Sequence, residues 1–300
     1  ILECVKDKNP KDSRQRTPLH LAANAGHFSV CELIIKYIND VNPKDEHGQT
    51  PLHYVALTGH LDTYKLFLLN TNDKNPKDNT GCTPLHVVAE KNHIPLCKLI
   101  LNEVKVANPR NNDWITPLHS AAYCGNLEVF ELILKTISEF QPRDKLGWTP
   151  LHYACKNGHL KVCQVILNKV KDKNPITKDG TTLIHLAAEN GDLSVFHLMS
   201  RITDNINSKN LNGLTPLHLA ANWGHLQICQ TIIEKLTDKN PKDKFGTTPL
   251  HYAAQKSRVG IYQLIIRQVR DKNPKNVAGL TPLDVADGHK NIERIYRQFS

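Results

Sequence analysis

Apolar positions in this chain follow a helical spacing in two short segments, and the arrangement recurs throughout the sequence. In an early copy, Leu19, Ala22 and Ala23 are spaced like residues on one buried face of a helix. Val30, Leu33 and Ile34 recur at helical spacing in the next segment, so they share one face of a second helix. The pattern therefore predicts pairs of short amphipathic helices.

The residues around these segments carry helix start and stop signals. Thr17 suits an N-cap, and Pro18 suits the first helical position, where its missing N–H costs no hydrogen bond. Gly26 ends the first helix, and the second helix is predicted to run on to about Ile38. The stretch Asn42–Asp45, followed by a glycine, predicts a reverse turn or hairpin, because glycine supplies the positive φ of such turns.

The whole unit repeats every 33 residues. One threonine marks each copy, at Thr17, Thr50, Thr83, Thr116, Thr149, Thr182, Thr215, Thr248 and Thr281. Proline follows the threonine in eight of the nine copies, with Leu183 as the exception, and eight copies have histidine three places after the threonine. The ninth copy has Asp284 there. Self-similarity at such a period is typical of a repeat array, in which each unit is buried against its neighbours.

These recurring residues resemble the ankyrin repeat. The shared motif is Thr-Pro-Leu-His-x-Ala-Ala, then Gly-His, then an apolar helix, and it covers essentially all 300 residues. The resemblance implies an all-α repeat solenoid of helix-turn-helix units with short β-hairpin fingers. It also implies a concave surface of fingers and first helices that binds another protein. One departure is the charged segment Asp238–Pro241, which is expected to lengthen the second helix or to reshape the base of the finger.

We expect residues 1–300 to form a single ankyrin-repeat domain. Residues 1–8 align with the end of a second helix, so they are interpreted as the end of a truncated repeat, and about nine repeats follow from 9 to 300. The last repeat is predicted to be a C-terminal cap, because Lys290, Asn291, Glu293 and Arg294 give it a polar face.

Composition narrows the setting in which the chain works. The formal charge is +9, and 40 % of the residues are apolar, with no run of about 18 that could span a membrane. The eight cysteines contain no Cys-x-x-Cys pair, so their spacing fits neither a zinc module nor a small disulfide scaffold. We therefore expect a cytoplasmic protein in a reducing compartment, present as a monomer without metal or cofactor.

Histidine and cysteine, the residues that often carry catalysis or bind metals, follow the repeat instead. Thirteen of the 16 histidines occupy two columns of the unit, and the resemblance implies that the Thr-Pro-Leu-His histidines hydrogen-bond within and between repeats. Cysteines alternate with aromatic residues in one column of the second helix, at Cys31, Tyr64, Cys97, Phe130, Cys163, Phe196, Cys229 and Tyr262. A residue present in every unit serves the unit, so we predict packing positions there and no enzyme activity. Cys82 and Cys124 fall on predicted exposed positions and are candidate reactive thiols.

Function is expected at the positions that vary between copies. Large apolar side chains collect in the fingers and first helices from the fourth repeat onward, at Trp114, Ile115, Tyr123, Leu146, Trp148, Leu211, Leu214, Trp223 and Phe245. Exposed groups of this kind usually mark an interface, and tryptophan and tyrosine are frequent hot-spot residues. The alternative is that neighbouring fingers pack on one another and bury these side chains.

A column of basic residues precedes the turn glycine by four places. It holds Lys11, Lys44, Lys77, Arg110, Arg143, Lys209, Lys242 and Lys275, and only Ile176 breaks it. We predict that this column contacts an acidic or phosphorylated segment of the partner, and that its principal members are Arg110, Arg143, Lys209 and Lys242. The alternative is that each cation pairs with the Asp or Asn that follows it, where exposed pairs contribute about 0–1 kcal/mol.

Trp114 occupies the finger column that holds glycine in seven of the nine copies. A bulky residue in a left-handed conformation costs roughly 1–2 kcal/mol. We therefore expect a distorted tip in the fourth finger, in which the turn changes type or Asn112–Asp113 takes the left-handed conformation instead.

The sequence thus favours a non-catalytic protein-interaction module or scaffold. A second interpretation is the targeting or regulatory region of a larger protein, such as a channel, a kinase or a scaffold. Nucleic-acid binding is the third, since aromatic side chains could stack on bases while the basic column follows phosphates. No nucleic-acid motif accompanies the charge, however, and 29 acidic residues dilute it.

Overall fold

A computed structural model of the chain describes residues 8–203, 205–286 and 288–299. They belong to two compact units that divide between Lys145 and Leu146, and each unit is described by itself. The predicted truncated repeat lies outside the described residues, except for Lys8. The single domain over all 300 residues stays a prediction.

The described part of the first unit contains four pairs of an inner and an outer helix. The inner helices are α1 (Pro18–Asn24), α3 (Pro51–Thr58), α5 (Pro84–Lys91) and α7 (Pro117–Cys124). The outer helices are α2 (Phe28–Ile35), α4 (Leu61–Asn70), α6 (Ile94–Glu103) and α8 (Leu127–Leu134). Inner helices pack on the inner helices of neighbouring pairs, and outer helices pack on outer helices.

The described part of the second unit repeats this arrangement. Its inner helices are α9 (Pro150–Lys156), α11 (Leu183–Asn190), α13 (Pro216–Trp223) and α15 (Pro249–Gln255). Its outer helices are α10 (Leu160–Lys169), α12 (Leu193–Ile202), α14 (Leu226–Lys235) and α16 (Val259–Ile266). A single 3₁₀ turn (Asp284–Ala286) and α17 (Lys290–Phe299) follow and pack on α15 and α16. The predicted all-α repeat architecture is confirmed.

Each inner helix begins as the sequence predicts. Thr17 has an extended backbone, with φ −101° and ψ 164°, and Pro18 is the first helical residue. Nδ1 of His20 reaches back and accepts the backbone N–H of Thr17 at 3.1 Å. This bond satisfies a donor at the helix start, as the side chain of a capping box does. The helix ends at Asn24, and Gly26 takes the left-handed conformation soon after it, with φ +67°.

The second helix of the first repeat is shorter than predicted. It ends at Ile35 and does not run on to about Ile38. The N–H of Tyr37 turns back to the C=O of Ile34 at 2.9 Å, so the chain leaves the helical path there. The predicted apolar face is also only partly buried: Ile34 is buried, but Val30 and Leu33 are exposed.

The charged segment before each finger reshapes the finger base and does not extend a helix. Oδ1 of Asp238 accepts the N–H of Asn240 at 3.0 Å, which makes a turn outside α14. Oδ1 of Asn240 in turn accepts the N–H of Leu250, near the start of α15, at 3.1 Å. The asparagine of the Asn-Pro step therefore caps the inner helix of its own repeat.

The column that alternates cysteine with aromatic residues is part of the core. All eight of its members are completely buried, as predicted. Burial raises the pKa of the Cys31 thiol to about 11 and those of Cys97 and Cys229 to about 12. These thiols stay protonated near neutral pH, so they act as small apolar residues.

The last repeat replaces the histidine by a carboxylate. Oδ2 of Asp284 accepts both the N–H and the hydroxyl of Thr281 at 2.7 Å, which is the bond that histidine makes inside other repeats. In α17, Ile292 and Ile295 are buried, while Lys290, Asn291 and Arg294 are exposed. The role of this repeat as a cap stays a prediction.

Candidate partner-binding surface

The fingers are tight turns closed by a side-chain oxygen and by the backbone. Oδ1 of Asp45 accepts the N–H groups of His47 and Gln49 at 2.9 and 2.8 Å. The N–H of Asp45 donates to the C=O of Gln49 at 3.0 Å. Among the described residues, the predicted hairpins form one isolated antiparallel bridge, between Ile176 and Thr182, and no longer strand.

Backbone hydrogen bonds join neighbouring fingers within each unit. In the first unit, the N–H of Asn79 donates to the C=O of His47 at 2.9 Å. In the second unit, the N–H of Leu211 donates to the C=O of Asp179 at 2.9 Å. Equivalent tip residues of adjacent repeats are therefore held at fixed positions relative to one another.

The fourth finger keeps the ordinary turn, so the expectation of a distorted tip is wrong. Trp114 itself takes the left-handed conformation, with φ +64°, as Gln15 does in the first finger with φ +60°. Its N–H donates to the C=O of Asn111 at 3.0 Å, as the turn glycines of other fingers do. The Arg110 guanidinium lies 5.6 Å from the centre of the Trp114 ring. This cation–π contact offsets part of the backbone strain.

Two glycines of the second unit provide a matched test of how closely the fingers approach one another. Gly213 and Gly279 share the turn position, with φ +73° and +76°. A Cβ on Gly213 would lie 2.8 Å from the backbone N of Lys244, whereas a Cβ on Gly279 would meet nothing within 4 Å. We expect Gly279→Ala to lower the free energy of unfolding by roughly 1 kcal/mol, and Gly213→Ala by about 1 kcal/mol more. Urea unfolding measures both, and equal losses would contradict the close approach.

The basic column links neighbouring repeats. The side chain of Lys77 donates to the C=O of Arg110 at 3.1 Å, and Arg110 donates to the C=O of Arg143 at 3.2 Å. In the second unit, Nζ of Lys209 donates to the C=O of Lys242 at 2.8 Å. The Asn that follows Arg110 or Lys209 in the sequence closes its own turn. Its Oδ1 accepts backbone N–H groups there, as the Oδ1 of Asp45 does in the second finger. The four predicted site cations are exposed, and Arg110 also forms an ion pair with Glu139 at 3.5 Å.

The eight Thr-Pro-Leu-His histidines are buried, and at least six of them bond to the next repeat as well as to their own. Nδ1 of His218 accepts the N–H of Thr215 at 3.0 Å, so the proton of the neutral ring is on Nε2. Nε2 donates to the C=O of Thr247 in the next repeat at 3.2 Å. Burial lowers the pKa of His218 and of His86 to about 4, which keeps both rings neutral near pH 7. The structural role implied by the resemblance is confirmed for these residues.

The second histidine column caps the preceding repeat. Nε2 of His93 donates to the C=O of Leu57 at 3.1 Å, and Nε2 of His225 donates to the C=O of Glu189 at 3.0 Å. Both carbonyls lie near the C-terminal ends of inner helices, where backbone acceptors lack helical partners. These histidines are structural for the same reason as the first column.

The predicted apolar site residues differ in exposure. In the first unit, Trp114 and Tyr123 are 48 % and 54 % exposed. In the second unit, Trp223, Phe245 and Leu146 are 52 %, 59 % and 66 % exposed. Contacts that join members of the predicted site link Arg110 with Trp114, Arg110 with Arg143, and Lys209 with Lys242.

Ile115, Trp148 and Leu214 are half-buried. The centre of the Trp148 ring lies 5.3 Å from that of Tyr153, and Nζ of Lys156 lies 5.3 Å from the indole centre. Trp148 therefore packs on the inner helix of its own repeat. This position resembles the buried packing of the alternative interpretation more than an exposed interface residue.

The sequence interpretation missed two exposed apolar residues in the ninth finger, Val277 and Leu280. They stand in the same two columns as Leu211 and Leu214. Extending the comparison of those columns by two repeats would have found them.

The family described as ankyrin repeats (3 copies) matches residues 1–78, 65–144, 136–209 and 184–276. The chain belongs to the ankyrin-repeat family. None of the curated proteins compared with it matches the chain. Ankyrin repeats are generally protein–protein interaction modules, and their fold is typically non-catalytic.

The described part of this ankyrin-repeat chain holds no group of three His, Cys, Asp or Glu side chains arranged to bind a metal ion. None of the described helices is both long enough and apolar enough to cross a membrane.

The two candidate reactive cysteines of the ankyrin array are half-buried and not exposed as expected. Sγ of Cys82 accepts a hydrogen bond from Nδ2 of Asn111 at 3.3 Å. Burial raises the pKa of Cys124, which lowers the fraction of reactive thiolate. The expected exposure is therefore wrong for both cysteines, and their reactivity stays a prediction.

Proposed function

We propose that this ankyrin-repeat chain is a non-catalytic protein-interaction module or scaffold whose partner contacts apolar side chains of the fingers and inner helices. The observation that carries the proposal is the exposure of Trp223, Phe245 and Leu146 in the second unit, with Trp114 and Tyr123 in the first. Large apolar side chains that collect at exposed positions mark interaction sites. Tryptophan and tyrosine supply much contact area for little loss of side-chain freedom.

The exposed tryptophans are held on rigid backbone, which supports their role as anchors. Trp223 is the last residue of α13, and left-handed Gly224 follows it as the helix cap. Trp114 is fixed by its turn hydrogen bond and by the Arg110 guanidinium. Binding then orders few additional groups, so more of the contact energy contributes to affinity. We propose smaller contributions from the half-buried Ile115, Trp148 and Leu214.

We further propose that the basic column contacts an acidic or phosphorylated segment of the same partner. Arg110 and Lys209 each use part of their hydrogen-bonding capacity on a carbonyl of the next repeat. Their cationic groups are therefore pre-positioned and still exposed. A charge that is already ordered loses less side-chain entropy when an anion binds.

The remaining proposals concern the setting. We propose a monomer that works in the reducing cytoplasm, without catalysis, metal or cofactor. The packing of Cys31, Cys97, Cys163 and Cys229 as small apolar core residues supports a compartment in which thiols remain reduced.

Replacing Trp223 and Phe245 by alanine tests the apolar surface. We expect each replacement to weaken the partner complex by about 2 kcal/mol if these residues are hot spots. Leu226→Ala is the matched control, because Leu226 is also exposed but begins the outer helix α14 of the same repeat.

The partner is first captured from the source cell with the wild-type chain, and its affinity for each variant is then measured by titration calorimetry. Unchanged affinity for the Trp223→Ala/Phe245→Ala variant, with an intact circular dichroism spectrum, would count against this surface.

A further inference from the structure

The net positive charge of the chain lies in its second half. Residues 146–300 contain 21 basic and 12 acidic residues, whereas residues 1–145 contain 17 of each. The formal charge of +9 therefore belongs entirely to the sequence of the second unit. An asymmetry of this kind points to a localised anionic partner and not to general solubility.

Part of the difference lies in the loops between outer helices and fingers. In the second unit, residues 169–174 read Lys-Val-Lys-Asp-Lys-Asn, residues 235–240 Lys-Leu-Thr-Asp-Lys-Asn and residues 268–273 Gln-Val-Arg-Asp-Lys-Asn. In the first unit, the equivalent residues 4–9 contain two basic residues, residues 70–75 and 103–108 contain one each, and residues 37–42 and 136–141 contain none. The remaining loop of the second unit, residues 202–207, also contains none. We call six cations of the second-unit loops the basic loop face: Lys169, Lys171, Lys173, Lys235, Lys239 and Arg270.

The partner of one loop lysine is a glutamate in the first unit and a glutamine at the equivalent position of the second unit. In the first unit, Nζ of Lys74 forms an ion pair with Glu103. In the second unit, Nζ of Lys239 instead donates to the neutral side chain of Gln268 at 2.6 Å. The loop cation is held in the same way in both units, but only the first unit neutralises it.

The loop carboxylates are committed to the turns. Oδ1 of Asp238 accepts the N–H of Asn240 at 3.0 Å, and Oδ1 of Asp271 accepts the N–H of Asn273 at 3.1 Å. Among the described residues, neither carboxylate forms an ion pair with a cation of the basic loop face. Five of the six cations are exposed, and only Lys239 is half-buried.

Two successive loops of this face enclose a cleft. Its volume is about 450 Å³, and Lys239, Lys242 and Arg270 line it together with the two turn carboxylates. None of the exposed apolar residues of the proposed partner site, such as Trp223 or Phe245, lines this cleft. The cleft shares Lys242 with the basic column, but it is separate from the exposed apolar residues and chemically different from them.

We propose that the basic loop face binds an extended acidic segment of a protein. Neighbouring packed helices lie roughly 10 Å apart, and an extended chain advances about 3.3 Å per residue. Acids about three residues apart therefore match the two successive basic loops, residues 235–240 and 268–273. Half-buried Val170, Leu236 and Val269 lie among the cations and suit apolar side chains of a peptide. These loops contain no aromatic residue on which a nucleic-acid base could stack. This inference does not depend on the apolar surface.

Fluorescence anisotropy with a labelled Glu-Leu-Ser repeat peptide of about 18 residues tests the proposal. The peptide length follows from the rise per residue of an extended chain. The variant Lys171→Gln/Lys239→Gln/Arg270→Gln is expected to lose at least about tenfold in affinity, as the loss of three charge contacts implies. The variant Lys161→Gln/Lys256→Gln/Arg294→Gln removes the same charge from exposed positions outside the loops. It is expected to change affinity by no more than about twofold, because those charges act only at long range.

Equal losses in the two triple variants would overturn the proposal, since net charge alone would then explain binding. Tighter binding of a single-stranded oligonucleotide than of the peptide, at equal salt, would also overturn it in favour of a nucleic acid. Retained peptide binding by the Trp223→Ala/Phe245→Ala variant is the expected result for a separate surface, and its loss would refute that separation.

Discussion

The free energy of unfolding of each unit should fall steeply as the pH is lowered from 6.5 to 4. Burial lowers the pKa of His86, in the first unit, and of His218, in the second, from 6.5 to about 4. Below pH 6.5 the unfolded chain takes up protons that these buried rings do not accept, so stability present above 6.5 is lost across this window. At 1.36 kcal/mol per pKa unit, each ring accounts for about 3 kcal/mol.

The geometry gives the reason for this shift. Nδ1 of His218 already faces the N–H of Thr215, and a proton on Nδ1 would set two donors against each other. Protonation therefore breaks the bond that begins the inner helix. Burial lowers the pKa in the same direction at four further histidines of this column: His20, His53, His185 and His251.

Urea unfolding of the chain between pH 7.5 and 4.5 measures the effect. Carboxylates titrate at lower pH than this range, as Asp179 illustrates. Burial raises its pKa, but hydrogen bonds from Thr177 and Thr181 outweigh this effect and hold the pKa below 3.8. The variant His218→Gln should be less stable than the wild-type chain at pH 7, but it should lose less stability on acidification. Both effects should be confined to the second unit, which contains His218. A chain equally stable at pH 7.5 and 4.5 would contradict the role assigned to the neutral rings.

Replacing Phe196 by cysteine should destabilise the second unit by about 3 kcal/mol or more. Phe196 is completely buried in α12, and a large-to-small change there loses apolar burial and leaves a cavity. Cys163 and Cys229 occupy the same column in α10 and α14, which pack on α12. Neither small neighbour can fill the space without moving its helix.

The reverse change tests whether neighbouring members of the column share volume. Cys163→Phe should cost about 1–3 kcal/mol through overpacking. The double variant Cys163→Phe/Phe196→Cys exchanges large and small between adjacent helices, so it should be at least about 1 kcal/mol more stable than the sum of the single losses. Thermal and urea unfolding of the four chains complete the cycle. Strictly additive losses would show that the alternation has no packing role.

The repeat and its helices could be predicted because their signals are local and are repeated. Thr17, Pro18 and Gly26 set the start and end of a helix within ten residues, and the same choice recurs in the other copies. The alternation of Cys163 with Phe196 was visible because stacked units place equivalent positions side by side.

The candidate site was harder to predict because exposure depends on neighbouring side chains. Trp114 and Trp148 look alike in the sequence, yet one lies at an exposed tip and the other packs beside Tyr153. The left-handed backbone of Trp114 could not be predicted from the sequence either. Its strain is offset by the contact with Arg110 and by the backbone bonds between stacked fingers, which exist only in the folded chain.

The sequence by itself determined the ankyrin repeat, its period, the helix boundaries to within a few residues and the buried columns. These features follow from hydrophobic spacing and from the backbone preferences of threonine, proline and glycine, which act over a few residues. Only the tertiary structure decided which partners the polar side chains take. Lys77 reaches a carbonyl 33 residues away, and Asn240 caps a helix ten residues on. Such choices depend on the close approach of atoms that are separated along the chain, which spacing alone does not encode.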